Sequence, residues 1–287
     1  MDSPPQLDSR YSVRSLEALV SRKISSLTVQ EIELRNGLVL EYLHVQSTFT
    51  RHDVYFISRF VGIAIEIVGD DKSLMEKVFN AATEGVGKAR GEGKKRKAPN
   101  MEAEMLERAG QAAERMYSHT LDKKWVHEGY SAHVLCATLW EGVDRLRSAN
   151  NFIYAASLAK KAAYDQDKEQ HPFWIQDYEW GGNWHEATFA AAQLLEKAGR
   201  TAAIGQYKIS GDAAFAMRKY AKSMNDIDPQ DKWFKEIEKW EGKARKSYQK
   251  FLELDENHLS KDNYVATLNV RKKLSLLHDL EIRYPQK

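Results

Sequence analysis

A single cysteine, six prolines and the lack of any long uncharged apolar run bound what this chain of 287 residues can be. The lone Cys136 excludes an intramolecular disulfide and any zinc site built from several thiolates. So little cysteine suits a reducing compartment, and Cys136 itself is expected as a small buried helix residue rather than a nucleophile. Six prolines and sixteen glycines favour long helices with short connections. The opening MDSPPQLDSRYS has no basic stretch followed by an apolar one, so no secretory leader is expected and the protein is read as intracellular, nuclear or cytoplasmic. The most apolar run, 54–68, contains Ser58, Arg59 and Glu66 and is too short and polar to span a bilayer. A net charge of +2 removes any global electrostatic argument for nucleic acid or a membrane surface.

What is present has the helical period from end to end. Thirty aromatic residues demand a core, which argues against disorder throughout. Thr28 and Glu31 form a capping-box pattern, Asp70 or Asp71 can cap the helix carrying Leu74, Val78 and Ala82, and Asn100 can cap the next. Leu135, Leu139, Val143 and Leu146 mark a further helix, expected to break at Asn150 and Asn151 before Phe152, Ala155, Ala159 and Ala162. Ala187, Ala191, Leu194 and Leu195 repeat at helical spacing up to Gly199. Asp228 and Pro229 signal the start of the helix bearing Trp233, Ile237, Trp240, Ala244, Tyr248 and Phe251.

These spacings predict an all-α fold of stacked antiparallel helical hairpins, either an irregular repeat array or an α-solenoid. Over about 135–225 the chain resembles tetratricopeptide repeats. Leu139, Gly142, Val143 and Leu146 stand near the first-helix packing positions of such a unit, and Phe152, Ala155 and Ala162 near those of the second. The match is incomplete, since Ala159 occupies the place of a large residue and the unit starting at Trp184 is about ten residues too long. The resemblance implies a protein-interaction or scaffold module, with a helical groove for a partner protein or peptide.

Two segments depart from this pattern. Between 88 and 97, Lys88, Arg90, Lys94, Lys95, Arg96 and Lys97 face only Glu92, a local charge of +5. Gly85, Gly87, Gly91 and Gly93 are interleaved with them, so 85–99 is expected as a flexible basic loop between an N-terminal subdomain, 1–84, and a C-terminal array, 100–287. Lys94, Lys95, Arg96 and Lys97 resemble a nuclear address or a phosphate contact, the basis of an alternative reading as a nucleic-acid-associated factor. The loop carries no Walker or dinucleotide spacing, because Arg90 and Lys95 occupy places those motifs give to glycine and to Ser or Thr.

The second segment, 171–184, holds Phe173, Trp174, Tyr178, Trp180 and Trp184 around Pro172 and Gly181-Gly182, which argue against one continuous helix. Aromatic residues give large contact area with few rotors, so these five are the expected partner-binding residues, or else a plug between hairpins. The mixed charges around Trp233 and Trp240 (Lys232, Lys235, Lys239, Lys243, Arg245 and Lys246 against Glu236, Glu238 and Glu241) read as a solvated face.

The case for an enzyme is thinner. Glu41 with His44, and Asp255 with His258, have the three-residue spacing of di-iron bundles, but the second Glu-x-x-His pair is missing. His127 and His133 lie about 240° apart on a helix, unlike a zincin pair. A polar, metal-dependent site would require Glu41, His44, His127 and His185 to converge. No metal and no cofactor is expected, and no nucleophile motif is recognisable.

Overall fold

A computed structural model describes residues 9–45, 49, 52–96, 99–164, 177–258 and 264–278. The described residues form eleven α-helices and no strand. The protein is therefore all-α, as the periodicity predicts. It divides into two compact units, Met1–Leu139 and Trp140–Lys287.

In the first unit, α1 (Ser9–Ser21), α2 (Val29–Val45) and α3 (Val54–Ile67) precede the long pair α4 (Lys72–Arg96) and α5 (Pro99–Thr120), followed by α6 (Lys123–Trp140). The capping box forms as expected: Glu31 N donates to Thr28 Oγ1, and Thr28 N to Glu31 Oε2 at 2.8 Å. Asp53 accepts from Phe56 N at 2.7 Å and Asp71 from Leu74 N at 3.0 Å, which start α3 and α4.

The stretch expected as a loop at 85–99 is helical through Arg96, and the expected boundary there falls inside the first unit, since α4 packs along α5. Packing overrides the glycine penalty. Gly85 is buried where a side chain would run into Met105 and Ile57, and Val86 and Ala89 are buried beside it. Lys88 Nζ donates to the carbonyls of Phe49 and His52, and Arg90 pairs with Glu102 at 2.5 Å. Lys94, Lys95 and Arg96 fall at the end of α4, and Lys97 lies outside the described residues.

In the second unit, α7 (Arg145–Ala163), α8 (Tyr178–Lys197), α9 (Ala202–Ile227), α10 (Asp231–His258) and α11 (Tyr264–His278) pack each on the next as sequential hairpins. Ala149, Leu194, Leu195 and Ala203 form a core with Leu146, Phe152, Ile153 and Leu254 around them. The break expected at Asn150-Asn151 does not occur, and α7 runs through both. The chain turns earlier, at 141–144, because Asp144 accepts from Leu146 N and Arg147 N at 3.0 Å each. Asn151 stays helical by donating Nδ2 to the carbonyl of Arg147. Leu146 and Phe152, placed on two helices by the repeat alignment, thus share one.

Gly199 ends α8 as expected. At φ +66° it allows Arg200 N to reach Leu195 O and Gly199 N to reach Glu196 O, both at 2.9 Å. Asp228 closes α9 rather than opening α10, its N–H donating to Met224 O, and α10 begins three residues later.

Candidate interaction surface

Tyr178, Trp180 and Trp184 of the second segment sit on α8, not on an irregular loop. Asp177 accepts from Trp180 N at 3.2 Å and starts the helix, which continues through Gly181 and Gly182. A Cβ at Gly182 would stand 3.6 Å from the Trp240 ring, an ordinary van der Waals contact, so α8 faces the large ring of α10 at this position. Trp180 and Trp184 are buried. Trp184 meets Tyr164 edge-on at 5.8 Å, under the Lys160 ammonium. Phe173 and Trp174 lie outside the described residues.

Tyr178 is half-buried and joins three helices. Its ring stands 5.5 Å from Tyr220 on α9 and meets Trp233 and Trp240 of α10 edge-on. Its hydroxyl accepts from Trp240 Nε1 at 2.5 Å and donates to Glu236. Burial and the neighbouring Glu236 carboxylate push the phenol's pKa well above its ordinary value. Burial pushes Glu236 up, but the hydrogen bonds from Tyr178 and Lys239 outweigh it and hold the carboxyl below its usual range. The phenol keeps its proton and the carboxylate its charge, so the contact is a charge-assisted hydrogen bond. Tyr220 and Trp233 are half-buried, while Ile227 (76%) and Phe234 (46%) stand exposed at the turn from α9 to α10. Apolar surface gathers at this end of the unit.

Deeper between the same helices, His185 is buried. Its Nδ1 lies 3.0 Å from both the carbonyl and the hydroxyl of Ser210, and that hydroxyl is 3.2 Å from Ser247 Oγ. Burial, assisted by Lys243 and Lys246, pushes its pKa below 6.5, with the Ser210 carbonyl and Glu186 opposing. A depressed histidine is bound neutral by the folded chain. Stability is therefore full above about pH 6.5 and falls as pH drops through that value, by at most about 1.4 kcal/mol per pH unit. Urea unfolding at pH values between roughly 7.5 and 5 should show this slope, and His185→Gln should flatten it.

Several of the remaining residues singled out in the sequence lie in the first unit. Glu41 and His44 are exposed on α2, His127 and Glu128 are exposed on α6, and His133 is buried on α6. Among the described residues, no three His, Cys, Asp or Glu side chains form a group able to hold a metal. Cys136 is buried, its Sγ donating to the carbonyl of Ala103. A polar chain invisible to local motifs does form in the first unit, where Glu17 Oε1 lies 3.1 Å from His52 Nδ1 and His52 Nε2 meets the Tyr42 hydroxyl. Phe49, Phe56 and Phe60 surround it. It ties α1 and α2 to the start of α3.

No protein-family model and no curated protein matches the chain. Among solved structures, a de novo designed helical repeat protein is similar over 86% of this chain and 96% of its own length, at 14% identity and a TM-score of 0.30. No helix among the described residues is long and apolar enough to cross a membrane.

Proposed function

We propose that this chain is a protein-interaction or scaffold module, and that the aromatic end of the second unit binds a partner protein or peptide. The observation that carries the reading is the concentration of half-exposed Tyr178, Tyr220 and Trp233 with exposed Ile227 and Phe234 at the α9–α10 turn. Apolar surface gathered at one place, with rings held by neighbouring helices, suits a recognition site. Phe173 and Trp174 precede Tyr178 by only a few residues and belong to the same proposed surface. Trp180 and Trp184 are buried in α8 and act as core rather than as part of the exposed surface.

The test is capture of partners by the tagged full-length protein from nuclease-treated extract. A stoichiometric partner is expected. Trp233→Ala and Phe234→Ser are expected to release it while leaving the circular dichroism spectrum unchanged. A partner retained by both variants, or none with the parent chain, would sink the reading.

A further inference from the structure

We infer that one edge of α10 docks an acidic helix of a partner protein. This rests on the interaction-module reading above and names the partner's chemistry. Lys232, Lys235, Lys239, Lys243, Lys246 and Lys250 succeed one another by three or four residues. That spacing lines all six along one edge of the helix over about 27 Å.

Aromatic rings lie under much of the row. Lys232 stands 4.8 Å from the Trp233 ring, Lys239 and Lys243 at 5.1 and 4.5 Å from Trp240, and Lys246 at 5.0 Å from Phe189. Each ring attracts its ammonium group and narrows its rotamers before any partner arrives. Lys239, Lys243 and Lys250 already pair with Glu236, Glu186 and Glu196. Lys232, Lys235 and Lys246 are exposed and carry no ion pair among the described residues.

The charges around the row choose between acidic partners. A nucleic-acid strand presents a phosphate at every step without relief. Glu186, Glu236 and Glu238 lie beside the lysines and would repel such a continuous backbone. Separate carboxylates can be placed opposite Lys232, Lys235 and Lys246 while avoiding those glutamates. On a helix, carboxylates three and four residues apart share the rise of the lysines and meet them in register. The row begins at Trp233, so such a helix would run on from the aromatic end.

The experiment uses the full-length chain and two labelled alanine-based helical peptides of about 20 residues with identical composition. One carries its glutamates at three- and four-residue steps on a single face, and the other spreads them around the helix. An oligothymidine of similar length is the third probe. Fluorescence anisotropy at low salt should show the one-faced peptide binding about fivefold tighter than the scrambled one, and the gap should shrink as salt rises. Joint Lys232→Gln, Lys235→Gln and Lys246→Gln substitution should weaken it about tenfold, and arginine at the same positions should restore it.

Equal affinity for the two peptides, tighter binding of the oligothymidine, or indifference to the glutamine substitutions would overturn the proposal. The partner capture separates the two failures. A partner kept by the glutamine variant but lost by Trp233→Ala overturns acidic docking and leaves the interaction reading standing. Retention by both variants removes both.

Discussion

Replacing Asp212 by alanine is expected to destabilise the second unit by about 2–4 kcal/mol, among the largest single effects in the chain. Asp212 Oδ1 accepts from the Tyr248 hydroxyl at 2.8 Å and from Lys273 Nζ at 2.6 Å, and Oδ2 accepts from Lys208 Nζ at 2.9 Å. One carboxylate thus joins α9, α10 and α11. Alanine would strip the counter-charge from two lysines that are only a third exposed, and would orphan the hydroxyl of the fully buried Tyr248. Asp212→Asn keeps an acceptor for that hydroxyl and is expected to cost about half as much. Tyr248→Phe removes a single neutral donor and should cost only about 1 kcal/mol. Urea unfolding followed by circular dichroism ranks the three, and equal losses for Asn and Ala would contradict the argument.

The same carboxylate sets an acid limb. Burial pushes the Asp212 pKa up, but the hydrogen bond and charge of Lys273, joined by Lys208 and Tyr248, pull it further down, to a net value below the ordinary one. Its folded pKa is depressed, so its contribution is complete above the unfolded value near 3.8 and is lost as pH falls through the folded value. Asp212→Asn should flatten stability in that acid range. His185 acts at higher pH, and the two limbs separate in a pH series.

The parts of this architecture that the sequence makes legible are those settled locally. Thr28 with Glu31, and Asp71, each bond a backbone N–H within three residues as their spacing predicts, and Gly199 supplies a positive φ where α8 ends. Signals of that range survive without knowledge of the rest of the fold. Glycine at 85 and at 181–182 misleads for the opposite reason. By propensity it breaks helices, yet at 85 its missing side chain makes room for Met105, 20 residues away, and at 181–182 the helix begun at Asp177 runs on against Trp240, about 60 residues away. Asn150-Asn151 misleads likewise, since Asn151 finds its hydrogen bond inside the helix.

The candidate site is less legible still. His185 meets Ser210, Ser210 meets Ser247, and Asp212 meets Tyr248 and Lys273, across separations of 25 to 61 residues that no local pattern encodes. The lysines of α10 are visible as a group, but a balanced count of acids and bases makes the helix read as a uniformly mixed face. Only the packing of α10 on α9 shows that its charges are sorted. Glu241 turns toward Arg218 and Arg245, while the lysines line the edge where Lys243 and Lys250 reach Glu186 and Glu196 of α8.

Trp240→Ala is expected to cost about 3–5 kcal/mol and to disable the aromatic surface together with the fold beneath it. The ring is 2% exposed and packs against α8 at Gly182, with His185 edge-on at 5.6 Å. Its loss creates a cavity between α8 and α10 and also deprives Tyr178 of the donor that fixes its hydroxyl. Trp240→Phe separates the two contributions. It keeps most of the apolar area and loses the N–H, so it should cost about 1–2 kcal/mol. Because Tyr178 would then be held by Glu236 alone, partner affinity should fall in Trp240→Phe by more than the small stability loss explains, provided the protein is assayed well below its unfolding midpoint. Circular dichroism gives the stability, since tryptophan fluorescence changes with the substitution itself. A Trp240→Phe protein that is weakened in stability but binds its partner with parent affinity would show that the Tyr178 cluster is core alone, and would move the binding face elsewhere on the second unit.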